Sequence, residues 1–309
     1  MILVCGSLAD PVMSHFYDRL LEFQVPFRFL DQRTYPDGYQ IDCHWKDGSF
    51  AGWLESAHWR VDLEELTGVY VRHFPSKRRS SPVEDEGHAS ALHGEHDYGL
   101  ESIFAALKCP IVNRFASCFS NQSKPFQAWQ LAQLDLSVPS TLVTGSLSEA
   151  RSFYEQWNGQ VIYKSAGAGF IGTRLLTEKA LAGLFCKSGA PVQIQELVSG
   201  TDIRVHVVGD QLFATRILSD AVDYRFPRPG STPLRMEQAT LPRTISSTCI
   251  RVSKAFGLLF TGIDLRETPD GQFYFFEANP APAFPFYERR SGQLISRALA
   301  DLLRGSCSL

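Results

Sequence analysis

An apolar hairpin interrupted by polar residues constrains this chain more than any other feature of its sequence. The segments GIDLR and QFYFFEAN flank a Pro269-Asp270 turn, which predicts two antiparallel strands. Pairing them places Asp264 opposite Phe275, and the two-residue period of a strand puts Glu277 and Asn279 on the same face. These could be solvated strand residues, but an unpaired carboxylate within such an apolar run is costly to bury. The pattern therefore favours a charge-paired or metal site, and its oxygen ligands suit Mg²⁺.

The beginning of the chain has the pattern of a parallel sheet. Apolar segments at 1–7 and 25–31 flank a helical pattern at 11–24, which predicts a β-α-β unit. Alternating residues over 39–66, interrupted by an Asp-Gly turn, predict a hairpin, and 68–75 predicts a further strand. The predicted class is α/β, with an α+β C-terminal portion.

Strands and helices alternate again after a helix that opens at Ser123-Lys124-Pro125. A chain of 309 residues is long enough for about two or more domains. The change of pattern predicts a first domain boundary after residue 112.

Composition excludes several classes of protein. Thirty Lys plus Arg against 33 Asp plus Glu give a net charge of −3, which argues against a general nucleic-acid or membrane-surface binder. No apolar run approaches the roughly 18 residues of a membrane span. The N-terminus lacks the basic region of a signal peptide, and seven cysteines without a CxxC pair are typical of a reducing compartment. We therefore expect a cytoplasmic protein that binds neither nucleic acid nor membrane.

A glycine-rich segment follows the strand that ends at Lys164. Gly167, Gly169 and Gly172 match GxGxxG formally, but the segment lies in mid-chain and lacks the acidic residue that a dinucleotide fold requires. A strand lysine leading into such a loop suits a lid whose backbone N–H groups cover phosphates. The alternative is an ordinary flexible turn.

A third polar pattern surrounds the segment QELV at 195–198. This strand ends at a glycine turn, beyond which Asp202 and Arg204 alternate onto one face. Arg216 and Arg225 add positive charge on the following segments. Arginines clustered near a Mg²⁺ site suit phosphoryl chemistry, and the alternative for each of them is a surface salt bridge.

Nucleophilic and transition-metal chemistry lack a signature in this chain. His88, His93 and His96 lie in one polar stretch, but no cysteine or paired strand frames them, so a structural or solvated role is favoured. Neither GxSxG nor HExxH occurs.

The order of these motifs resembles the ATP-grasp superfamily over about residues 111–309. The motifs are a lysine that opens a helix, a strand lysine, a glycine loop, QELV, D-x-R and D…E-x-N. The first 75 residues, with the hairpin and GVYVRHFP, are similar to the pre-ATP-grasp domain of microviridin-type peptide ligases. The ribosomal-protein glutamate ligases share the C-terminal pattern. The resemblance implies three sub-domains: a small parallel-sheet domain over residues 1–112, followed by an ATP-grasp fold whose two α+β sub-domains, residues 113–192 and 193–309, clasp ATP.

The resemblance also implies roles for individual residues. The residues that would bind ATP are Lys124, Lys164, Gly167, Gly169, Gln195, Glu196, Leu197, Val198, Asp202 and Arg225. The residues that would hold Mg²⁺ are Asp264, Glu277 and Asn279. Arg204 and Arg216 are candidates for stabilising the transferred phosphoryl group, and Arg72 would face the substrate from the N-terminal domain.

The implied activity is an ATP-dependent carboxylate ligase. A carboxylate attacks ATP to form an acyl phosphate, which an amine or hydroxyl then captures as an amide or ester. The N-terminal resemblance favours a ribosomally made precursor peptide as the substrate. Two alternatives remain: a ligase of small molecules, such as amino acids or a glutamate tail, and a nucleotide-binding regulatory protein. A homo-oligomer also remains open.

Overall fold

Four β-sheets organise the portion of the chain that the computed structural model describes, which is residues 1–72, 98–164, 172–185, 191–225 and 232–305. The strands are β1 (Ile2–Gly6), β2 (Phe27–Asp31), β3 (Tyr39–Lys46), β4 (Ser49–Ser56), β5 (Trp59–Asp62), β6 (Gly68–Val71), β7 (Ile111–Val112), β8 (Thr141–Thr144), β9 (Val161–Lys164), β10 (Arg174–Leu175), β11 (Val192–Glu196), β12 (Thr201–Val208), β13 (Gln211–Leu218), β14 (Arg235–Gln238), β15 (Phe260–Glu267) and β16 (Phe273–Asn279). The helices are α1 (Pro11–Glu22), α2 (98–106), α3 (Phe115–Cys118), α4 (Lys124–Ala132), α5 (Leu147–Gln156), α6 (Glu178–Phe185), α7 (Arg243–Ala255), α8 (Pro285–Ser291) and α9 (Ile295–Leu303). None of the helices within these ranges is long and apolar enough to cross a membrane.

The N-terminal sheet is parallel, in the order β2-β1-β6-β7, as the opening pattern predicts. The connecting helix α1 starts where Asp10 Oδ1 accepts a hydrogen bond from the Val12 amide at 2.9 Å, with Pro11 in its first turn. The predicted hairpin is also present, because β3 and β4 pair across Asp47 and Gly48, both with positive φ. Strand β5 extends that hairpin to a three-stranded sheet.

The second four-stranded sheet is antiparallel, in the order β10-β9-β11-β8. One face packs against α5 and α6 through a core that includes Ala150, Val161 and Ile194. The residues between these apolar positions, Lys164 and Gln195 among them, face away from the helices. Because β11 belongs to this sheet, we propose that the predicted boundary at 192/193 lies after Glu196 instead.

The largest sheet has the order β14-β13-β12-β15-β16. Helices α4 and α7 cover one face, where Leu131 and Val252 pack against Ile203, Val205 and other buried residues of the central strands. The intervening residues of β12 therefore lie on the opposite face, where His206 packs against Tyr287 of α8.

The N-terminal sheet and the last helices share one hydrophobic core. Phe16 of α1 and Tyr70 of β6 pack in the same cluster as Phe284 and Leu299, near the other end of the sequence. At Gly68 a Cβ atom would lie 2.5 Å from the Leu303 carbonyl oxygen, so β6 runs directly against the backbone of α9. Residues 1–112, which the sequence predicts as a domain, thus have one hydrophobic core of their own and share a second one with the last helices. Helix α8, which the sequence patterns did not predict, precedes α9.

This shared core makes a testable prediction about stability. Leu299 is completely buried. Leu299→Ala removes three buried carbon atoms and leaves a cavity, so it should lower the free energy of unfolding by about 3 kcal/mol. Urea unfolding followed by circular dichroism measures the change. Leu294→Ala is the matched control, because Leu294 is 65% exposed and its truncation should cost less than about 0.5 kcal/mol. Equal losses in the two variants would show that α9 does not belong to the core.

Candidate active site

The predicted site residues converge on a cleft between the second four-stranded sheet and the five-stranded sheet. The predicted residues that line it are Lys124, Lys164, Gln195, Glu196, Leu197, Val198, Asp202, Arg225, Asp264 and Glu277. Within the described ranges, Arg72, Arg204, Arg216 and Asn279 are not among the lining residues. Gly167 and Gly169 lie outside the described residues, as do the three histidines of the polar stretch.

Two lysines provide the positive side of the cleft. Lys124 is the first residue of α4, whose start is capped by Ser123 Oγ accepting from the Phe126 amide at 3.4 Å. Lys164 ends β9, and its Nζ donates to Gln195 Oε1 at 3.2 Å. Burial, together with the charge of Lys124, lowers the pKa of Lys164 to about 8, against the opposing effect of Glu277 and Asp264. The cleft therefore holds a lysine whose charge an anionic ligand would stabilise.

This lowered pKa predicts how nucleotide affinity depends on pH. Lys164 is charged below about pH 8 and loses its proton above it, so ATP affinity measured without Mg²⁺ should fall up to about tenfold per pH unit above that value. Isothermal titration calorimetry across that range measures the change and the accompanying proton uptake. Lys164→Arg keeps its charge throughout and should flatten the profile. A wild-type profile as flat as that of the arginine variant would contradict the assignment.

The segment 195–198 forms the wall between the two sheets. The Glu196 amide donates to Ser140 O at 3.0 Å and the Leu197 amide donates to Gln160 O at 2.9 Å, which fixes the path of the backbone. Burial raises the pKa of Glu196. The wall is thus a rigid, partly apolar edge of the kind that a planar base can contact.

Asp202 lies just beyond this wall and is held by an arginine. Arg266 Nε donates to Asp202 Oδ1 at 2.7 Å, and its Nη1 donates to the Val198 carbonyl at 2.8 Å. Burial raises the pKa of Asp202 despite the opposing charge of Arg266. Arg266 therefore links the wall at 195–198 to strand β12 through these two hydrogen bonds.

The hairpin register differs from the predicted one. Asp264 lies opposite Glu277, while Leu265 lies opposite Phe275, so Phe276 is the extra residue of a β-bulge. The prediction that Asp264 pairs with Phe275 is therefore wrong. The bulge places the two carboxylates directly across from each other on the face that lines the cleft.

The third predicted metal ligand lies at the end of the same strand. Asn279 pairs with Gly262, and its Oδ1 accepts from the Ala281 amide at 2.8 Å. No group of three or more His, Cys, Asp or Glu side chains in the described ranges could hold a metal ion. A Mg²⁺ site does not require three such side chains, because the ion commonly binds one or two carboxylates together with substrate phosphates. Asp264 and Glu277 therefore fit Mg²⁺ that is carried by a nucleotide.

The two candidate catalytic arginines lie on opposite faces of the sheet. Arg204 pairs across strands with Asp264, and its Nη1 donates to Asp264 Oδ1 at 2.7 Å although only 5% of Arg204 is exposed. Arg216 lies opposite Ile203, a core residue, and its Nη2 donates to Glu267 Oε2 at 2.8 Å. The structure thus brings Arg204 to the carboxylate pair and does not bring Arg216 there.

Arg225 lines the cleft with its guanidinium oriented by an aspartate. Its Nε and Nη2 donate to Asp223 Oδ1 and Oδ2 at 2.8 and 2.9 Å. The same carboxylate accepts from the Thr173 amide at 3.2 Å, near the start of β10. Asp223 therefore connects Arg225 to the second four-stranded sheet.

Arg72 lies at the junction of the N-terminal sheet and the loop after β16. Its Nε bonds Asp10, and its Nη1 donates to the Ala281 carbonyl at 2.8 Å. The side chain is mostly buried, at 15% exposure. Arg72 thus holds the loop beside Asn279, a contact that the sequence did not predict.

The sequence analysis missed Gly262, Tyr224 and Tyr287. A Cβ atom at Gly262 would lie 2.5 Å from Cζ and 2.6 Å from Nε of Arg204, so the guanidinium rests on the glycine backbone. Tyr287 lies on the guanidinium, its ring centroid 5.6 Å from Cζ, and its hydroxyl is 2.5 Å from that of Tyr224. A glycine inside a strand was a usable signal, because it often marks a close approach to the backbone.

Comparison with known proteins agrees with this geometry. The RimK-like ATP-grasp domain model matches residues 122–303. A probable α-L-glutamate ligase from Mannheimia succiniciproducens is 28% identical over 199 residues, which cover 61% of this chain and 65% of that protein. This chain therefore spans slightly less than two thirds of that relative's length.

Two solved structures match nearly the whole chain. The macrocyclase MdnC from Microcystis aeruginosa, bound with precursor peptide MdnA, is 21% identical with a TM-score of 0.83, covering 99% of this chain and 100% of that one. The ATP-grasp ligase PsnB, complexed with a phosphomimetic variant of its minimal precursor, Mg and ADP, is 25% identical with a TM-score of 0.80, covering 98% and 97%. These matches confirm the predicted ATP-grasp fold. Because the domain model also spans more than half of the sequence, the chain belongs to the RimK-like ATP-grasp family.

Proposed function

We propose that this protein is an ATP- and Mg²⁺-dependent ligase that activates a carboxylate as an acyl phosphate. One observation carries the proposal: Lys124 and Lys164 line the same cleft as the paired carboxylates Asp264 and Glu277. Two cations suit the phosphates of ATP, and two adjacent carboxylates suit the metal that accompanies them. The RimK-like match and the Mg and ADP in the PsnB complex support the same chemistry.

Each side chain has a distinct role in binding ATP. The wall at 195–198 contacts adenine, Asp202 contacts the ribose, and the two lysines with Arg225 contact the phosphates. Asp264, Glu277 and Asn279 hold Mg²⁺, which neutralises phosphate charge when it is bound. Arg204 orients Asp264 through Oδ1 and leaves the other carboxylate oxygen available.

The reaction then requires positioning rather than a protein nucleophile. A substrate carboxylate oxygen attacks the γ-phosphorus as the bond to the β-phosphate oxygen breaks, which releases ADP. An amine or hydroxyl attacks the acyl carbon next, its proton passes to the solvent, and inorganic phosphate leaves. Arg204 and Arg225 stabilise the charge that develops on the transferred group. Arg216 has no role in this proposal, because it lies on the other face of the sheet.

We propose a peptide as the substrate. The MdnC and PsnB structures, which match 98–99% of the chain and therefore its N-terminal sheet as well, are complexes with precursors. A specific observation favours a second candidate, a small-molecule amine such as glutamate: the curated relative that matches 61% of the chain is named a glutamate ligase. In both cases Arg72 lies where the N-terminal sheet meets the metal-site loop, and we propose that it faces the substrate.

One assay separates these functions. The protein is incubated with ATP, Mg²⁺ and either short peptides that contain Asp or Glu beside Ser, Thr or Lys, or free amino acids and a carboxylate acceptor. ADP release is measured with product mass. A peptide that loses one water per bond formed supports the peptide ligase, and glutamate addition to a small acceptor supports the second candidate. Nucleotide binding without ADP release in any mixture would favour a regulatory protein instead.

A further inference from the structure

Strand β16, which carries Glu277 and Asn279, is at the edge of the five-stranded sheet. An edge strand has one row of backbone N–H and C=O groups without a neighbouring strand. Here side chains and loop backbone from other segments of the chain bind that row. The first contact is the Phe275 amide, which donates to the Ser137 carbonyl at 2.8 Å.

The central contact on this edge is Gln127 of α4. Its Nε2 donates to the Ala278 carbonyl at 2.9 Å, and its Oε1 accepts from the Ala278 amide at 3.0 Å. The amide group thus binds the strand as a neighbouring strand would, through both backbone groups of one residue. Gln127 is only 2% exposed, so water does not compete for these bonds. Ala278 is the residue between the two predicted metal ligands.

Pro280 and Ala281, the two residues that follow β16, are bound by side chains from the first 113 residues of the chain. Asn113 Nδ2 donates to the carbonyls of Pro280 and Phe260, both at 2.6 Å, and its Oδ1 accepts from the Leu259 and Phe260 amides at 2.9 and 3.1 Å. Asn113 therefore connects the start of β15 to the end of β16. Arg72 then binds the Ala281 carbonyl.

We propose that Gln127, Asn113 and Arg72 form a clamp that holds the end of β16, and that Gln127 thereby acts as a positioning residue for the metal ligands Glu277 and Asn279. The proposal rests on the proposed function, because it assumes that Glu277 and Asn279 hold a metal ion. The directions of those two side chains follow from the backbone of the residue between them, and both hydrogen-bonding groups of that residue are bound by Gln127. Without the clamp, the edge strand is free to shift by the small distance that suffices to spoil a ligand set.

Metal binding to the whole protein tests the clamp without relying on turnover. Mn²⁺ serves as the probe, and its affinity in the presence of ADP is measured by electron paramagnetic resonance. Gln127→Met keeps the side-chain length and removes both hydrogen bonds, so Mn²⁺ affinity should fall about 10- to 100-fold. The affinity for ADP without metal, measured by calorimetry, should change less than about twofold. Gln130→Met on the same helix is the control, because Gln130 Oε1 has no hydrogen-bond partner among the described residues.

Four results would overturn the inference. A folded Gln127→Met protein with wild-type Mn²⁺ affinity would do so, and so would equal losses of Mn²⁺ and of metal-free ADP affinity, which indicate a general structural defect. If that variant does not fold, Arg72→Lys decides: weaker Mn²⁺ binding supports the clamp and unchanged binding rejects it. Mn²⁺ that binds wild-type protein no more tightly with ADP than without it would reject the proposed metal site itself, and the clamp with it.

Discussion

Replacing Glu277 with glutamine should reduce ATP-dependent turnover by at least about 100-fold while the protein stays folded. The amide has the shape of the carboxylate but lacks its charge, so the pair that Glu277 forms with Asp264 across the two strands loses half of its negative charge. Steady-state ADP release measures the loss, and circular dichroism confirms the fold. ATP affinity without Mg²⁺ should persist, since both lysines that contact the phosphates are still present.

A matched control for this substitution lies on the same hairpin. Glu267 belongs to β15 and is paired with Arg216 on the face away from the cleft, with 28% of its side chain exposed. Glu267→Gln should therefore change turnover less than about threefold, because a partly exposed ion pair contributes little. Turnover in Glu277→Gln within a few-fold of wild type would show that the metal assignment is wrong. A large loss in Glu267→Gln would instead implicate Arg216 in the reaction.

Gly262→Ala should lower kcat by about 100-fold, although the substitution adds only one methyl group. The new Cβ would lie within 2.6 Å of Cζ and Nε of Arg204. The backbone of β15 is held by its neighbours on both sides, so the guanidinium is the group that moves. Its displacement breaks the 2.7 Å bond to Asp264 and removes a preorganised positive charge from the reacting region.

A double-mutant cycle separates this effect from general damage to the sheet. Arg204→Met removes the group that the new methyl would contact, so adding Gly262→Ala to it should cost little more. The thermal midpoint of each variant shows whether the sheet is intact. If the reduction of kcat in the double variant equals the product of the reductions in the two single variants, Gly262 does not act through Arg204.

Local patterns were sufficient for much of the architecture. The alternation of apolar and polar residues identified β12, β15 and β16, and the Asp47-Gly48 pair identified the first hairpin. Motif order identified the ATP-grasp fold, and ten predicted residues line one cleft. Such patterns succeed because strand period, turn chemistry and helix capping depend on neighbours in sequence.

The same patterns could not assign side chains across strands correctly. A bulge of one residue, Phe276, changed the partner of Asp264, and the pairing of β12 with β13 placed Arg216 on the core side. Register depends on how each turn closes and where a bulge forms, and a shift of one residue reverses the face of a side chain.

By itself, then, the amino-acid sequence determined most of the element types, the family and the kinds of groups that line the cleft, which are lysines and carboxylates. The assembled fold determined which of those groups meet. Arg204 joins Asp264 because Gly262 leaves space for it. The end of β16 is held by Gln127, Asn113 and Arg72, whose partners there lie 151, 167 and 209 residues away along the chain. Contacts of that range arise from packing between distant segments, whereas the local periodicity of a sequence reflects only its immediate neighbours.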